Sequence, residues 1–278
     1  MKRITDTLEV SRSNQYEHRR PSGRKHHRTD DGEFLCGIRK VIDQRPTYGY
    51  RRVTALLNRC LEAQGRPRVN HKRVYRIMKR NGLLLQRYTG RVVRSHDGTV
   101  MTQRSNSRWC SDAFEIVCWN AQRVRVAFTM DCCDREVMSF VATTGGISGD
   151  MIRDLMAEAI ESRFGFVERL PHGVEWLSDN GPPYTAHETR AFARMMGLDV
   201  RTTPFHSPES NGMAEAFVKT FKRDYVHINP LNNAVTVMEQ LPGWFDDYNS
   251  SHPHKALKMK SPREYRELVN KLEGCPVS

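Results

Sequence analysis

Three things are scarce in this chain of 278 residues, and each scarcity removes a class of function. No stretch of 18 apolar residues occurs, which excludes a membrane-spanning helix. The opening MKRITDTLEVSRSNQ is basic but has no apolar segment behind it, so it does not read as a secretory signal, and a cytoplasmic location is expected. Cysteine is present seven times, an odd number, yet never as a C-x-x-C pair, which argues against a zinc ribbon or a dithiol redox site and for free thiols in a reducing compartment. Acidic residues are scarce in one region only: residues 1–107 hold 25 Lys and Arg against 9 Asp and Glu, whereas residues 108–278 hold 19 against 23. The formal charge of +12 therefore belongs wholly to the first part. Between Ala63 and His96 there are ten basic residues and no acid, an electrostatic footprint suited to a polyanion.

What is present follows that division. Residues 1–30 are polar, basic and without period, and read as a flexible arm. The pair His26–His27 has no cysteine nearby to complete a metal site. Apolar residues at helical spacing then predict three short helices: Phe34, Leu35, Ile38, Val41 and Ile42 in the first; Val53, Leu56, Leu57, Cys60 and Leu61 in the second; Val74, Ile77 and Met78 in a third capped by Asn70. The third helix presents Lys72, Arg73, Arg76, Lys79 and Arg80 on its outer face. Three helices with a basic last one fit a helix-turn-helix unit, residues 31–86, whose last helix enters a DNA major groove; a plain three-helix bundle fits the periodicity equally well. A basic linker, 87–107, follows.

From Arg108 the periodicity changes to two. Phe114, Ile116 and Cys118 alternate along a strand expected to begin just after Asp112, and Val124, Val126, Phe128 and Met130 alternate along a second. Asp131–Asp134 reads as a turn and Glu136–Thr144 as a third strand. A helix over 150–164, a short strand Val174–Leu177, a helix opened by a Thr185/Glu188 capping box, a strand Val200–Thr203 and a helix from Asn211 complete a β-β-β-α-β-α-β-α order. That order predicts an α/β core over 108–230 with a mixed five-stranded sheet, followed by a helical tail, 231–278.

Three acids stand out: Asp112, Asp179 at the end of a strand, and Glu215 in the first turn of a helix, with 35 residues between the last two. Carboxylates are the donors that hard divalent cations prefer, and two such ions about 3.5–4 Å apart need several carboxylate oxygens on one spot. Glu215, Lys219 and Lys222 share one helical face, where a surface Glu–Lys pair is the plainer alternative. Asp131 and Asp134 read as turn residues, Glu209 as a loop residue, and His252-Pro-His254 as too small a set for a metal.

The strings around these residues resemble a known family. Pro46–Arg52 and Val69–Met78, Ser107–Asp112, Ser178-Asp179-Asn180-Gly181, Ser207–Gly212, and Tyr248-Asn249 with His252-Pro253-His254, Leu257 and Ser261–Tyr265 resemble, in order, the blocks of the second-frame subunit of insertion-sequence transposases of the IS-three family, relatives of retroviral integrases. The resemblance implies a ribonuclease-H-like integrase core, a triad of Asp112, Asp179 and Glu215, and two Mg²⁺ (or Mn²⁺) ions. One ion would activate the attacking oxygen, and the other would stabilise the leaving 3′ oxygen. It implies DNA contact at Lys222, with Lys219, Arg223, Asn180, Asn211, Arg51 and Arg52 as further candidates beside those of the third helix. It also implies duplex DNA as partner (element ends and target), an upstream-frame helix-turn-helix protein as fusion partner, a homo-multimer on DNA and a nucleoid-associated location. A non-catalytic DNA-binding partner of the fused transposase is the alternative. Two features depart from the family pattern: Pro182-Pro183 after Gly181, and Pro242 within a stretch that is usually helical.

Overall fold

The computed structural model describes residues 31–86, 102, 104–202 and 212–273. The arm 1–30, most of the linker and Asn211 lie outside these residues. The first unit is α-helical. Helices α1 (Asp31–Gln44), α2 (Tyr50–Ala63) and α3 (His71–Arg80) enclose Ile38, Val53, Leu57, Leu61, Val74, Ile77 and Met78, all buried. Two local devices set their geometry. A Cβ on Gly37 would lie 2.8 Å from Leu57 Cδ1, so a side chain there would have to displace Leu57 from the α1–α2 contact. The Asn58 side chain is bonded both ways to the Val69 backbone (2.7 and 3.1 Å), which fixes the α2–α3 turn. Asn70 caps α3 by accepting from Lys72 N–H.

The second unit is a five-stranded sheet in the order β3-β2-β1-β4-β5. Its strands are β1 (Arg108–Val117), β2 (Arg123–Asp131), β3 (Val137–Thr143), β4 (Val174–Ser178) and β5 (Leu198–Thr202). β1, β2 and β3 pair antiparallel, while β1–β4 and β4–β5 pair parallel, so the sheet is mixed as expected. On one face lie α4 (Gly149–Phe164), the short α5 (Pro182–Thr185) and α6 (His187–Met196), around Trp109, Ile152, Leu155, Met156 and Trp176. On the other lie α7 (Gly212–Asp224) and α8 (Ala234–Ser250), around Phe114, Phe128, Phe217, Phe221, Trp244 and Phe245. The packed core therefore runs beyond residue 230: α8 buries Val237, Leu241 and Phe245 in the same cluster as the sheet. Pro242 lies within α8, which is continuous across it, on the exposed side. A final helix, α9 (Pro262–Glu273), follows.

Two local expectations are corrected. β1 starts at Arg108, so Asp112 is mid-strand and not near its end. Thr185 does not cap the next helix. It ends α5, which opens on Pro182-Pro183, and its hydroxyl donates back to the Gly181 carbonyl at 3.2 Å; Ala186 is the N-cap of α6, without a side-chain bond. Proline at the first helical positions loses no needed N–H, so the two prolines start a helical turn there.

The two units are joined by polar struts. Thr47 Oγ1 donates to Asp224 (2.6 Å), and Arg52 pairs with the same carboxylate at 2.9 Å. The Tyr48 hydroxyl shares a bond with His252 Nδ1 (2.8 Å), and Arg45 pairs with Asp247. Arg59 donates to the Ser251 carbonyl (2.6 Å) and to Glu264 (2.6 Å). All six described cysteines are free, with Cys110, Cys118 and Cys132 buried and Cys36 and Cys60 exposed. Among the described residues no helix is long and apolar enough to cross a membrane.

Candidate active site

Strand alternation places the first acid. Cys110, Phe114 and Ile116 all point into the α7–α8 cluster, and Asp112 has their parity, so its carboxylate leaves β1 on that same face. The second acid follows from strand register. The last parallel pair between β1 and β4 is Cys110–Leu177; two residues further along the chain from each stand Asp112, still in β1, and Asp179, just past the end of β4. The third arrives from above. α7 lays Phe217 and Phe221 on Phe128 and Phe114 (ring centroids 4.5 and 5.7 Å apart), and Glu215 lies in its first turn, over the sheet.

Electrostatics reports the result. The Asp112 carboxyl is pushed up to about 6, first by burial and further by the negative charges of Asp179 and Glu215, against a lowering bond from Ala113 N–H. Asp112 thus feels the charges of two acids far from it in sequence, and among the described residues none of the three pairs with an arginine. Asp179 accepts from Gly181 N–H (3.0 Å), and Glu215 reaches the exposed Lys219 at 3.6 Å. Among the described residues, however, no three Asp, Glu, His or Cys side chains stand close enough to hold one ion. The fold brings the three acids within electrostatic reach and not into a closed ligand shell.

Sequence reasoning missed the support around them. Tyr184, buried, shares a 2.9 Å bond with Ser111, the residue before Asp112, and ties α5 to β1. Burial raises its phenol well above the usual range, so it stays neutral. Gly181 packs so tightly that a Cβ there would meet Asp179 Oδ1 at 3.0 Å. The signal was present in the five-residue spacing of Asp179 and Tyr184, but nothing in it names Ser111 as partner.

The candidate DNA-contacting residues separate into two groups. Lys72, Arg76, Lys79 and Arg51 are exposed, as is Lys219; Lys222 holds its ammonium 5.7 Å from the Phe114 ring, on the face that carries Asp112. Arg52 and Arg223 are instead turned to Asp224, and Arg73 and Arg80 to Asp31. Asn180 is exposed beside Asp179, and Asn211 lies outside the described residues.

Comparison with known proteins agrees with this anatomy. The family described as "HTH-like domain" matches residues 29–91, and two families described as "Integrase core domain" match 102–208 and 196–262. A helix-turn-helix unit on a mixed sheet of ribonuclease-H-like integrase type is the class these features define. Transposase InsD for insertion element IS2A/D/F/H/I/K of Escherichia coli is 52% identical over 246 residues, covering 87% of this chain and 81% of that protein. Transposase InsD for insertion element IS2-9 of Escherichia coli (strain K12) is 52% identical over the same length, with 87% and 80% covered. A chain of the simian T-cell lymphotropic virus intasome, solved in complex with PP2A regulatory subunit B56 gamma, overlaps 75% of this chain and 69% of its own at 17% identity, with a TM-score of 0.49. The chain belongs to the insertion-element transposases with an integrase core domain. It is accordingly a DNA transposase, an enzyme of the polynucleotidyl-transferase class.

Proposed function

We propose that this chain is the integrase-core, second-frame subunit of an IS-three-family transposase, and that Asp112, Asp179 and Glu215 are its catalytic acids. The observation that carries the reading is the placement of Asp112 on the sheet face beside Asp179 and Glu215, whose charges add to the burial that raises its carboxyl. Such a cluster costs stability unless a cation neutralises it, and an all-carboxylate donor set suits Mg²⁺ or Mn²⁺. Asp112, Asp179 and Glu215 would be the residues that hold the ions. When bound, the ions supply charge to activate the attacking oxygen and to steady the leaving one. The attacker is water in cleavage and a DNA 3′ hydroxyl in strand transfer. Its oxygen bonds to phosphorus as the bridging P–O3′ bond breaks.

The chain's own groups do the rest. Tyr184 and Ser111 fix the loop after β4 against β1, which sets the spacing of Asp179 and Asp112. Lys219 and Lys222 lie along α7 on the Glu215 face and neutralise the DNA backbone passing over it. Lys72, Arg76 and Lys79 on α3 serve the same duplex from the helix-turn-helix side. Two DNA ends must be held together for transposition, so the working form is a multimer, with the upstream-frame helix-turn-helix protein fused or bound to it. The test is cleavage and strand transfer on the ends of the chain's own insertion element, by the full fused protein. Asp112→Asn and Glu215→Gln are expected to lower turnover at least about a hundredfold while duplex binding persists. Undiminished strand transfer by Asp112→Asn would reject the triad.

A further inference from the structure

We propose that the loop His254–Lys260 at the C-terminal end is a second DNA-backbone grip, acting beside α3 on the same duplex; this rests on the DNA-binding reading of the helix-turn-helix. The loop is a built structure. It is closed by a bridge between His254 and Lys260 and tied by Met259 N–H to the His254 carbonyl (2.7 Å) and Lys260 N–H to the Leu257 carbonyl (3.0 Å). Leu257 is buried beneath it. Lys258 and Met259 both hold positive φ, at 55° and 66°, a conformation that residues with side chains rarely adopt and that persists only where the surroundings impose it. Here they do: Arg59 of α2 donates to the Met259 carbonyl (3.3 Å) while pairing with Glu264.

The loop and the helix-turn-helix unit enclose a cleft of about 590 Å³. Its charges do not cancel. Arg59 is matched by Glu264 and Arg68 by Glu62, which leaves Arg51, Lys258 and Lys260 with no ion pair among the described residues. His71, at the start of α3, lines the same cleft and also the neighbouring one that carries the exposed Lys72 and Arg76 of that helix. A row of cations running from one rigid unit onto another, with no acid of the cleft left over to meet them, fits a phosphodiester strand flanking the groove that α3 enters. The strained loop carries Lys258 at the cleft, where it is exposed. The grip is on the backbone, so it adds affinity without reading sequence.

The experiment uses the full chain and duplex DNA, with affinity measured by fluorescence anisotropy from about 50 to 200 mM salt. Lys258→Gln with Lys260→Gln is expected to bind roughly tenfold more weakly at low salt, by the same factor for every duplex sequence. Its log–log salt slope should be shallower by about 1–2, near 0.9 for each phosphate that is no longer neutralised. Lys258→Arg with Lys260→Arg should restore the wild-type slope. Lys72→Gln with Arg76→Gln tests the underlying reading: if those variants bind duplex as wild type does, the DNA-binding reading of the helix-turn-helix fails. If they bind weakly while the loop variant keeps wild-type affinity and slope, the loop proposal alone is overturned. A loop variant unchanged toward DNA but weakened toward polyglutamate would likewise overturn it, in favour of an acidic protein partner.

Discussion

Two sets of acids share this core and could hardly be treated more differently by the fold. Asp134, Glu136 and Asp224 are buried and supplied with arginines. Arg163, itself 1% exposed, forms two bonds to Asp134 (2.9 and 3.0 Å) and reaches Glu136, which Arg263 and Arg266 also meet; Asp224 receives Arg52 and Arg223. Asp112, Asp179 and Glu215 lie closer to solvent, yet meet no guanidinium among the described residues and repel one another. Burial is therefore a poor guide to function here, and compensation is a good one. Where the chain provides a cation of its own, the acid is scaffold. Where no guanidinium is supplied and the carboxylate stays toward solvent, as at Asp112, Asp179 and Glu215 (the last beside the exposed Lys219), the acid is open to a charge from elsewhere.

The contrast can be broken most forcefully at Arg163. Arg163→Met should strand Asp134 as a buried charge without a guanidinium, while Glu136 keeps Arg263 and Arg266, and should cost about 3–5 kcal/mol, read as a lower midpoint in urea unfolding. A loss below about 1 kcal/mol would mean that the arginines are not what holds that cluster. Next in size is the strut between the units. Arg52→Ala removes one of the cations on fully buried Asp224 and is expected to cost about 2 kcal/mol, and to increase proteolysis between the helix-turn-helix and the core.

The histidines beside Asp224 sharpen the comparison through pH. His252 lies 3.9 Å from that carboxylate, yet burial, His254 and nearby arginines hold it neutral; His254 is lowered to about 3, again chiefly by burial. A base whose folded value lies below its unfolded one stabilises the fold fully above about pH 6.5 and loses that contribution as pH falls toward 3. The loss should be about 1.4 kcal/mol per pH unit for each histidine. Asp131, raised to about 6 by burial and Asp134, acts in the opposite sense over pH 4–6, so the informative quantity is the difference between wild type and His254→Phe. The variant's stability should fall less steeply between pH 6.5 and 5; identical slopes would contradict a neutral buried His254. The smallest effect belongs to the candidate site. Asp112→Asn should leave stability unchanged, or raise it by no more than about 1 kcal/mol at pH 8, because it removes a repelled charge that solvent partly screens.

Much of this architecture was legible in the sequence, and the misreadings have physical causes. The three helices, the Asn70 cap and the order of strands follow from apolar spacing, which burial enforces directly. The start of β1 was hidden because Trp109, Cys110 and Ser111 are all buried, and a strand covered on both faces does not alternate. The Thr185/Glu188 pattern misled because the two prolines had already begun a helical turn upstream. The sorting of acids was the least visible part. Arg52 meets Asp224 across 172 positions and Arg45 meets Asp247 across 202, so cations that read as a free basic surface turned out to be partly engaged within the fold. Which arginines remain for DNA is a tertiary fact.

Uptake of Mn²⁺ by the full chain, followed by the fall in the ion's electron paramagnetic resonance signal, tests the central claim most directly, because it needs neither DNA nor turnover. Wild type should take up Mn²⁺ in competition with Mg²⁺, and Asp112→Asn should lose that uptake while unfolding at the same urea concentration or higher. Equal uptake by the two proteins would mean that the uncompensated acids are not where the cation goes.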